Sequence, residues 1–137
     1  MPDYETHEIV GIVATGLVME IPAFILGAGW LALPIILAGF AAAFGSFLPD
    51  GIDQYKKWGY KHRNAGHLES NMNILRILGI ISYLLVWIFW ITKIEPYLAI
   101  FSLLFGLILG YWMHLLLDSK TPMGLPKHLA GEHRGMR

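Results

Sequence analysis

Long apolar segments constrain this chain more than any other feature of its sequence. Four such stretches, each about 20 residues long, cover residues 8–27, 30–48, 74–92 and 97–117. That is the length a helix needs to cross the hydrocarbon core of a bilayer. The first stretch contains Glu20 and Pro22, so its far end is expected to be bent, short or interfacial. The sequence therefore predicts an all-α membrane protein with about four transmembrane helices.

The composition agrees with a membrane setting and excludes several other classes. Hydrophobic residues make up 55% of the chain and charged residues only 15%, whereas a soluble domain carries about a quarter charged residues. The same figures exclude intrinsic disorder. The absence of cysteine excludes disulfides, a thiol nucleophile and cysteine-ligated metals. A net charge of zero gives no indication of a nucleic-acid partner.

The polar segments predict how the helices are arranged. A single domain over residues 1–137 with helices running up-down-up-down places the N-terminus, the polar loop 49–73 and the tail 118–137 on one membrane face. Lys93 is the one basic residue expected on the opposite face. The other nine basic residues share the first face: Lys56, Lys57, Lys61, Arg63, Arg76, Lys120, Lys127, Arg134 and Arg137. The positive-inside bias makes that face cytoplasmic, in the inner or plasma membrane.

The side chains able to bind a metal are expected on this same face. The set comprises all six histidines and three aspartates: His7, His62, His67, His114, His128, His133, Asp50, Asp53 and Asp118. His114 and Asp118 are four residues apart and so lie on one side of the fourth helix, able to share a cation. Imidazole and carboxylate without thiolate suit Zn²⁺, Mn²⁺ or Fe²⁺ in a hydrolytic site.

Small residues at steps of four indicate that the candidate ligands converge. The stripes are Gly106, Gly110, His114 and Asp118 on the fourth helix, Ala38, Ala42, Ser46 and Asp50 on the second, and His7, Gly11 and Thr15 on the first. Small residues at this spacing let membrane helices approach closely. Each stripe ends in a candidate ligand, so the packed faces would also bring those ligands together. The Gly106 and Gly110 stripe equally fits a contact between two copies of the chain.

Three segments resemble the YdjM-like family of small inner-membrane proteins. They are residues 47–53 (FLPDGID), residues 61–67 (KHRNAGH), and residues 110–118 (GYWMHLLLD) followed by residues 121–124 (TPMG). The family is described as metal-dependent hydrolases and has been grouped with the zinc-dependent phospholipase C and P1-nuclease superfamily. Gly66 departs from the family pattern, which has threonine at that position.

The resemblance implies a ligand set and a chemistry. The implied metal ligands are His7, Asp50, Asp53, His62, His67, His114 and Asp118. Seven ligands exceed the three that a catalytic zinc usually takes from protein, which implies two or three ions. The chain is then expected to hydrolyse a phosphoester such as a phospholipid or a lipid-linked phosphate. Arg63 and Lys61 would contact the phosphate, and Asp53 or Glu69 would orient the attacking water.

Two other functions remain open at this stage. In the first, the His and Asp cluster binds a metal structurally, or the basic loop and tail anchor or sense a cytoplasmic partner. In the second, the chain carries metal ions across the membrane. Transport favours ionisable residues near the middle of the bilayer, and Glu20 alone could be so placed. His128 and His133 are assigned to solvated surface rather than to the site.

Overall fold

The fold is a bundle of four long helices. A computed structural model describes residues 4–27, 32–55, 65–120 and 125, with side chains given for 6–27, 32–52, 66–120 and 125. The elements are α1 (Tyr4–Ile25), α2 (Ala32–Tyr55), a single 3₁₀ turn (Ala65–His67), α3 (Glu69–Ile91) and α4 (Glu95–Ser119). Each of the four α-helices is long and apolar enough to cross a bilayer. The predicted all-α membrane fold is confirmed.

Two helix boundaries differ clearly from the sequence prediction. Helix α2 continues past Leu48 to Tyr55 and contains Pro49 in its interior. Helix α3 begins at Glu69 rather than at residue 74. The polar connection between these two helices is therefore shorter than the predicted loop 49–73, because polar helical turns extend both helices at the end of the bundle that carries the candidate ligands.

Helix α1 continues through Pro22 and ends at Ile25, in the region whose far end the sequence predicts to be bent, short or interfacial. Proline has no N–H, so in a helix it leaves the carbonyl four residues earlier without its usual donor. That carbonyl belongs to Val18, and the hydroxyl of Tyr83 on α3 donates to it at 3.2 Å. A side chain from another helix thus replaces the missing backbone hydrogen bond.

The closest packing in the bundle is between α2 and α4. A Cβ added at Gly106 would overlap the backbone of Ala38, and one added at Gly110 would overlap the backbone of Ala42. Ala38 and Ala42 are fully buried. Glycine is therefore required at both positions for the two backbones to touch, as small residues allow in membrane helices.

The outer surface of the bundle is strongly apolar. Phe24, Phe40 and Ile91 are 89%, 74% and 69% exposed, while the buried core consists mainly of Met19, Ala23, Ala38, Val86, Leu98 and Phe105. A soluble protein does not expose large apolar side chains at this density. The distribution is that of a protein whose solvent is lipid.

Candidate metal centre

Five side chains that the sequence places far apart meet at one end of the bundle. His7 lies near the start of α1, Asp50 near the end of α2, His67 at the end of the 3₁₀ turn, and His114 and Asp118 near the end of α4. We call these five residues the cluster. The start of α1, the end of α2, the start of α3 and the end of α4 thus lie together, as an up-down-up-down bundle requires.

The small-residue stripes explain how the ligand side chains are oriented. Thr15, Ala42 and Ser46 are almost completely buried, as are Gly11, Gly106 and Gly110. A Cβ added at Gly11 would lie 3.5 Å from the Cα of Gly110 and 3.5 Å from the carbonyl oxygen of Ala42, so α1, α2 and α4 meet at this level. The next residues along each packed face are the ligands themselves, which therefore point at one another.

Two imidazole nitrogens of the cluster lie next to each other and next to two carboxylate oxygens. The Nε2 atoms of His67 and His114 are 3.0 Å apart. Asp118 Oδ2 lies 3.2 Å from His67 Nε2 and 3.6 Å from His114 Nε2. Asp50 Oδ1 lies 3.5 Å and 3.9 Å from the same two nitrogens. Donors about 2.1 Å from a tetrahedral zinc are separated from each other by about 3.4 Å, so the group of Asp50, His67 and His114 has the dimensions of a metal site.

Hydrogen bonds alone satisfy these four atoms poorly. Each neutral imidazole carries one N–H and one acceptor nitrogen, and an ionised carboxylate is an acceptor only. A single N–H from His67 or His114 can face only one of the surrounding acceptors well, yet each Nε2 atom has three acceptor atoms within 4 Å. A cation bound by Asp50, His67 and His114 would interact with all three donors at once. The donor set therefore fits a divalent metal ion.

His7 extends the cluster on the other side of Asp118. Its Nε2 lies 3.9 Å from Asp118 Oδ1, and its ring centroid is 4.1 Å from that of His114. The Nδ1 atoms of His7 and His114 are buried and have no hydrogen-bond partner among the described residues. His7, His114 and Asp118 form a second group whose donor atoms are close enough to hold an ion. The two oxygens of Asp118 thus face two different groups.

The turn that carries His67 is fixed by residues that the sequence analysis did not single out. The hydroxyl of Tyr111 donates to the Gly66 carbonyl at 2.8 Å, and Asn71 Nδ2 donates to the same oxygen at 3.4 Å. A Cβ at Gly66 would overlap the backbone of Pro49, so the departure from the family pattern at this position permits a direct contact with α2. Tyr111 precedes His114 by one helical turn, and this spacing is the signal that could have identified it.

We expect Tyr111→Phe to lower metal affinity without removing a ligand. The substitution deletes the hydrogen bond that orients the His67 turn, and loss of such outer contacts typically costs about 10-fold to 100-fold in metal affinity. The measurement is a competition titration against a chelating dye. Tyr97→Phe is the matched control, because Tyr97 lies at the opposite end of α4, is 52% exposed and stacks on Phe89. Equal affinities for the two variants would contradict the orienting role.

The remaining predicted site residues are not part of the cluster as the structure describes it. Glu69 is exposed in the first turn of α3 and belongs to neither group of described residues able to hold an ion. Lys61, His62 and Arg63 lie outside the described residues, as does the side chain of Asp53. Their predicted roles stay predictions.

A comparison with known protein families identifies the family of this chain. The family described as YdjM inner membrane protein matches residues 1–129. The chain belongs to this family. The match to YdjM contains all five residues of the cluster and all four membrane-spanning helices. No curated protein and no solved structure matches the chain. Membership of YdjM and the four apolar helices together establish a membrane protein whose buried His and Asp groups are able to hold a metal ion.

Proposed function

We propose that this chain is a membrane-embedded, metal-dependent hydrolase of phosphoesters, acting on a phospholipid or a lipid-linked phosphate. The observation that carries the proposal is the group of donor atoms from Asp50, His67 and His114, which lie 3.0–3.9 Å from one another, with Asp118 Oδ2 only 3.2 Å from His67 Nε2. Two imidazoles and two carboxylates, from a chain without cysteine, match the ligands of hydrolytic Zn²⁺, Mn²⁺ or Fe²⁺ sites. When bound, a divalent ion supplies a Lewis acid that activates water and neutralises charge on phosphoryl oxygens.

More than one ion fits the distribution of donors. Asp118 Oδ2 lies near His67 and Asp118 Oδ1 lies toward His7, so this carboxylate would be able to contribute to two ions. We propose zinc as the metal and two or three ions as the number, with Asp53 and His62 as further ligands. Paired ions about 3.5–4 Å apart are common in phosphoryl-transfer enzymes.

Differences in burial among the ligands indicate where a substrate would enter. The side chain of His67 is fully buried and those of His114 and Asp118 are 4% and 5% exposed, whereas that of Asp50 is 23% exposed. Because His67, His114 and Asp118 are buried, we propose that a phosphate and its attacking water approach from the more exposed Asp50 side. A catalytic site keeps such an open position, while a structural site is closed.

Groups around that opening are suited to an anion. No side chain caps the N-terminus of α3, which begins two residues after His67, so its backbone N–H groups favour negative charge nearby. We propose that Arg63 and Lys61 bind the phosphate and that Asp53 or Glu69 orients the water. The site would face the cytoplasm, as the distribution of basic residues predicts, and its ligand types support a relation to the zinc-dependent phospholipase C and P1-nuclease superfamily.

The test is metal analysis of the purified protein together with a panel of phosphomonoester and phosphodiester substrates. We expect at least one tightly bound divalent ion per chain. Removal of the ion with a chelator should lower hydrolysis at least about 100-fold, and adding the metal back should restore it, because an ion supplies several kcal/mol of transition-state stabilisation. A protein that binds no stoichiometric metal contradicts the proposal at its first step.

The deep burial of His67, His114 and Asp118 also favours a second function, that of a non-enzymatic protein. In this alternative the metal holds the helices together, and the protein anchors or senses a cytoplasmic partner. Structural sites release their ions slowly and admit no further ligand. Bound metal that does not respond to added phosphate in its spectrum, after replacement by Co²⁺, would favour this alternative. A spectral change on addition of inorganic phosphate would favour the hydrolase.

A further inference from the structure

A groove between α3 and α4 lies on the membrane-facing side of the bundle. It encloses about 200 Å³ and is lined mainly by apolar side chains, including Leu75, Gly79, Ile108 and Leu109. Tyr83 also lines it, but its hydroxyl is already bonded to the Val18 carbonyl. The groove therefore offers hydrocarbon surface along most of its length.

Two polar groups of this groove lie toward the end of the bundle that carries the cluster. Arg76 lines the groove, is exposed and forms no ion pair within the described residues. It stands two turns from the start of α3, and helical side chains lean toward the N-terminus, which here is the cluster end. Trp112 lines the same groove, and its buried indole N–H has no acceptor among the described residues.

The surroundings of the groove determine what can occupy it. Ile77, Ile80 and Ile81 on α3 are 60%, 55% and 49% exposed, so this face of the bundle contacts lipid. A guanidinium and an indole N–H that have no partner among the described residues, at one end of an apolar channel, match an amphiphile with an anionic head and a hydrocarbon chain. Arginine at this depth binds phosphate bidentately and reaches the headgroup region with its long side chain.

We propose that this groove binds one acyl chain of an anionic phospholipid, with the lipid phosphate on Arg76 and the indole N–H of Trp112 donating to a lipid oxygen. As a statement about substrate, this inference rests on the proposed function. The bound lipid would be held with its phosphate at the end of the bundle where His67 and Asp50 lie. Lipid binding itself can be measured whether or not the chain is a hydrolase.

The binding test is native mass spectrometry of the detergent-solubilised protein with added phosphatidylglycerol or diacylglycerol of the same chain length. We expect wild type to retain phosphatidylglycerol and to retain diacylglycerol much less. Arg76→Gln should weaken retention of phosphatidylglycerol about tenfold, since it removes a charge-assisted hydrogen-bonding pair. Gly79→Leu should also reduce retention. A Cβ at Gly79 meets Ile108 Cγ2 at an ordinary 3.5 Å, so the longer side chain fills the groove.

The matched control is Gly39→Leu on α2. A Cβ at Gly39 has no heavy atom within 4 Å, so the same substitution adds the same apolar bulk away from the groove, and retention should equal that of wild type. Unchanged retention in both Arg76→Gln and Gly79→Leu would overturn the inference. The inference would also be overturned if wild type forms a dimer and Gly79→Leu dissociates it without loss of lipid. The groove would then hold a second copy of the chain.

A hydrolysis measurement separates this inference from the proposed function. Turnover of phosphatidylglycerol is compared with turnover of bis(p-nitrophenyl) phosphate, a diester without an acyl chain. We expect Gly79→Leu to lower the ratio of the two rates at least fivefold relative to Gly39→Leu. An unchanged ratio contradicts a lipid substrate in the groove. If neither compound is hydrolysed by wild type, the proposed function fails, and the lipid-retention experiment alone decides the inference.

Discussion

Replacing His114 by alanine is expected to abolish both metal binding and hydrolysis. His114 is the central member of the cluster: its Nε2 faces His67, Asp50 and Asp118, and its ring packs against His7. Its removal leaves an incomplete ligand set in both groups of residues able to hold an ion. We expect less than a tenth of the wild-type metal content and a loss of activity of about 1000-fold or more.

The control for this substitution is another histidine of the same chain. His128 is outside the predicted ligand set, so His128→Ala should retain the metal content and activity of wild type. Metal is measured by elemental analysis after gel filtration, and circular dichroism checks that each variant is folded. Since an empty space at a buried position also destabilises a helix bundle, His114→Gln provides a second variant of larger volume. A folded variant of either kind with stoichiometric metal would contradict the assignment.

The sequence carries much of the information that places the cluster. Steps of four along a helix put Gly110 beneath His114 and Ala42 beneath Ser46, and this spacing depends only on helix geometry. The prediction that the faces carrying small residues would bring their terminal ligands together is confirmed for His114 on α4 and His7 on α1. The size of a side chain and its ability to bind a metal are properties of the single residue, so both can be identified directly from the sequence.

The helix ends could not be predicted in the same way. Apolar content marks the part of a helix that contacts hydrocarbon, but α2 continues through polar residues to Tyr55 and α3 starts at Glu69. These turns lie beyond the apolar stretches that the prediction relied on, so hydropathy does not detect them. The result is that His67 ends a 3₁₀ turn two residues before α3 begins.

Contacts between side chains and backbone carbonyls are also difficult to predict from a sequence. Tyr111 bonds the carbonyl of Gly66, 45 residues away, and Tyr83 bonds that of Val18, 65 residues away. Every residue has a carbonyl oxygen, so the identity of the acceptor is set by how the helices pack and not by its side chain. The proline at position 22 predicts an unsatisfied carbonyl at Val18, but only the fold shows which hydroxyl meets it.

The second large effect is expected from Gly110→Ala, which tests the packing that aligns the ligands. The new methyl group would lie 2.8 Å from the Ala42 Cα, and backbone atoms cannot move aside as a flexible side chain would. Helices α2 and α4 must separate or slide, at a cost of about 1–3 kcal/mol. Because His114 is one turn beyond Gly110 and Asp50 lies two turns beyond Ala42, the same displacement moves their donor atoms apart, so metal affinity should fall as well.

Gly39→Ala makes the same chemical change on α2, where a Cβ meets no heavy atom within 4 Å. Alanine has a higher helix propensity than glycine by about 1 kcal/mol, so this control should melt at or slightly above the temperature of wild type and bind metal equally well. Thermal unfolding in detergent, followed by circular dichroism with and without a chelator, gives both quantities. The two substitutions should change stability in opposite directions, since one places a methyl against lipid and the other against a backbone. If Gly110→Ala melts as high as Gly39→Ala and keeps its metal, close contact between α2 and α4 is not what holds the cluster together.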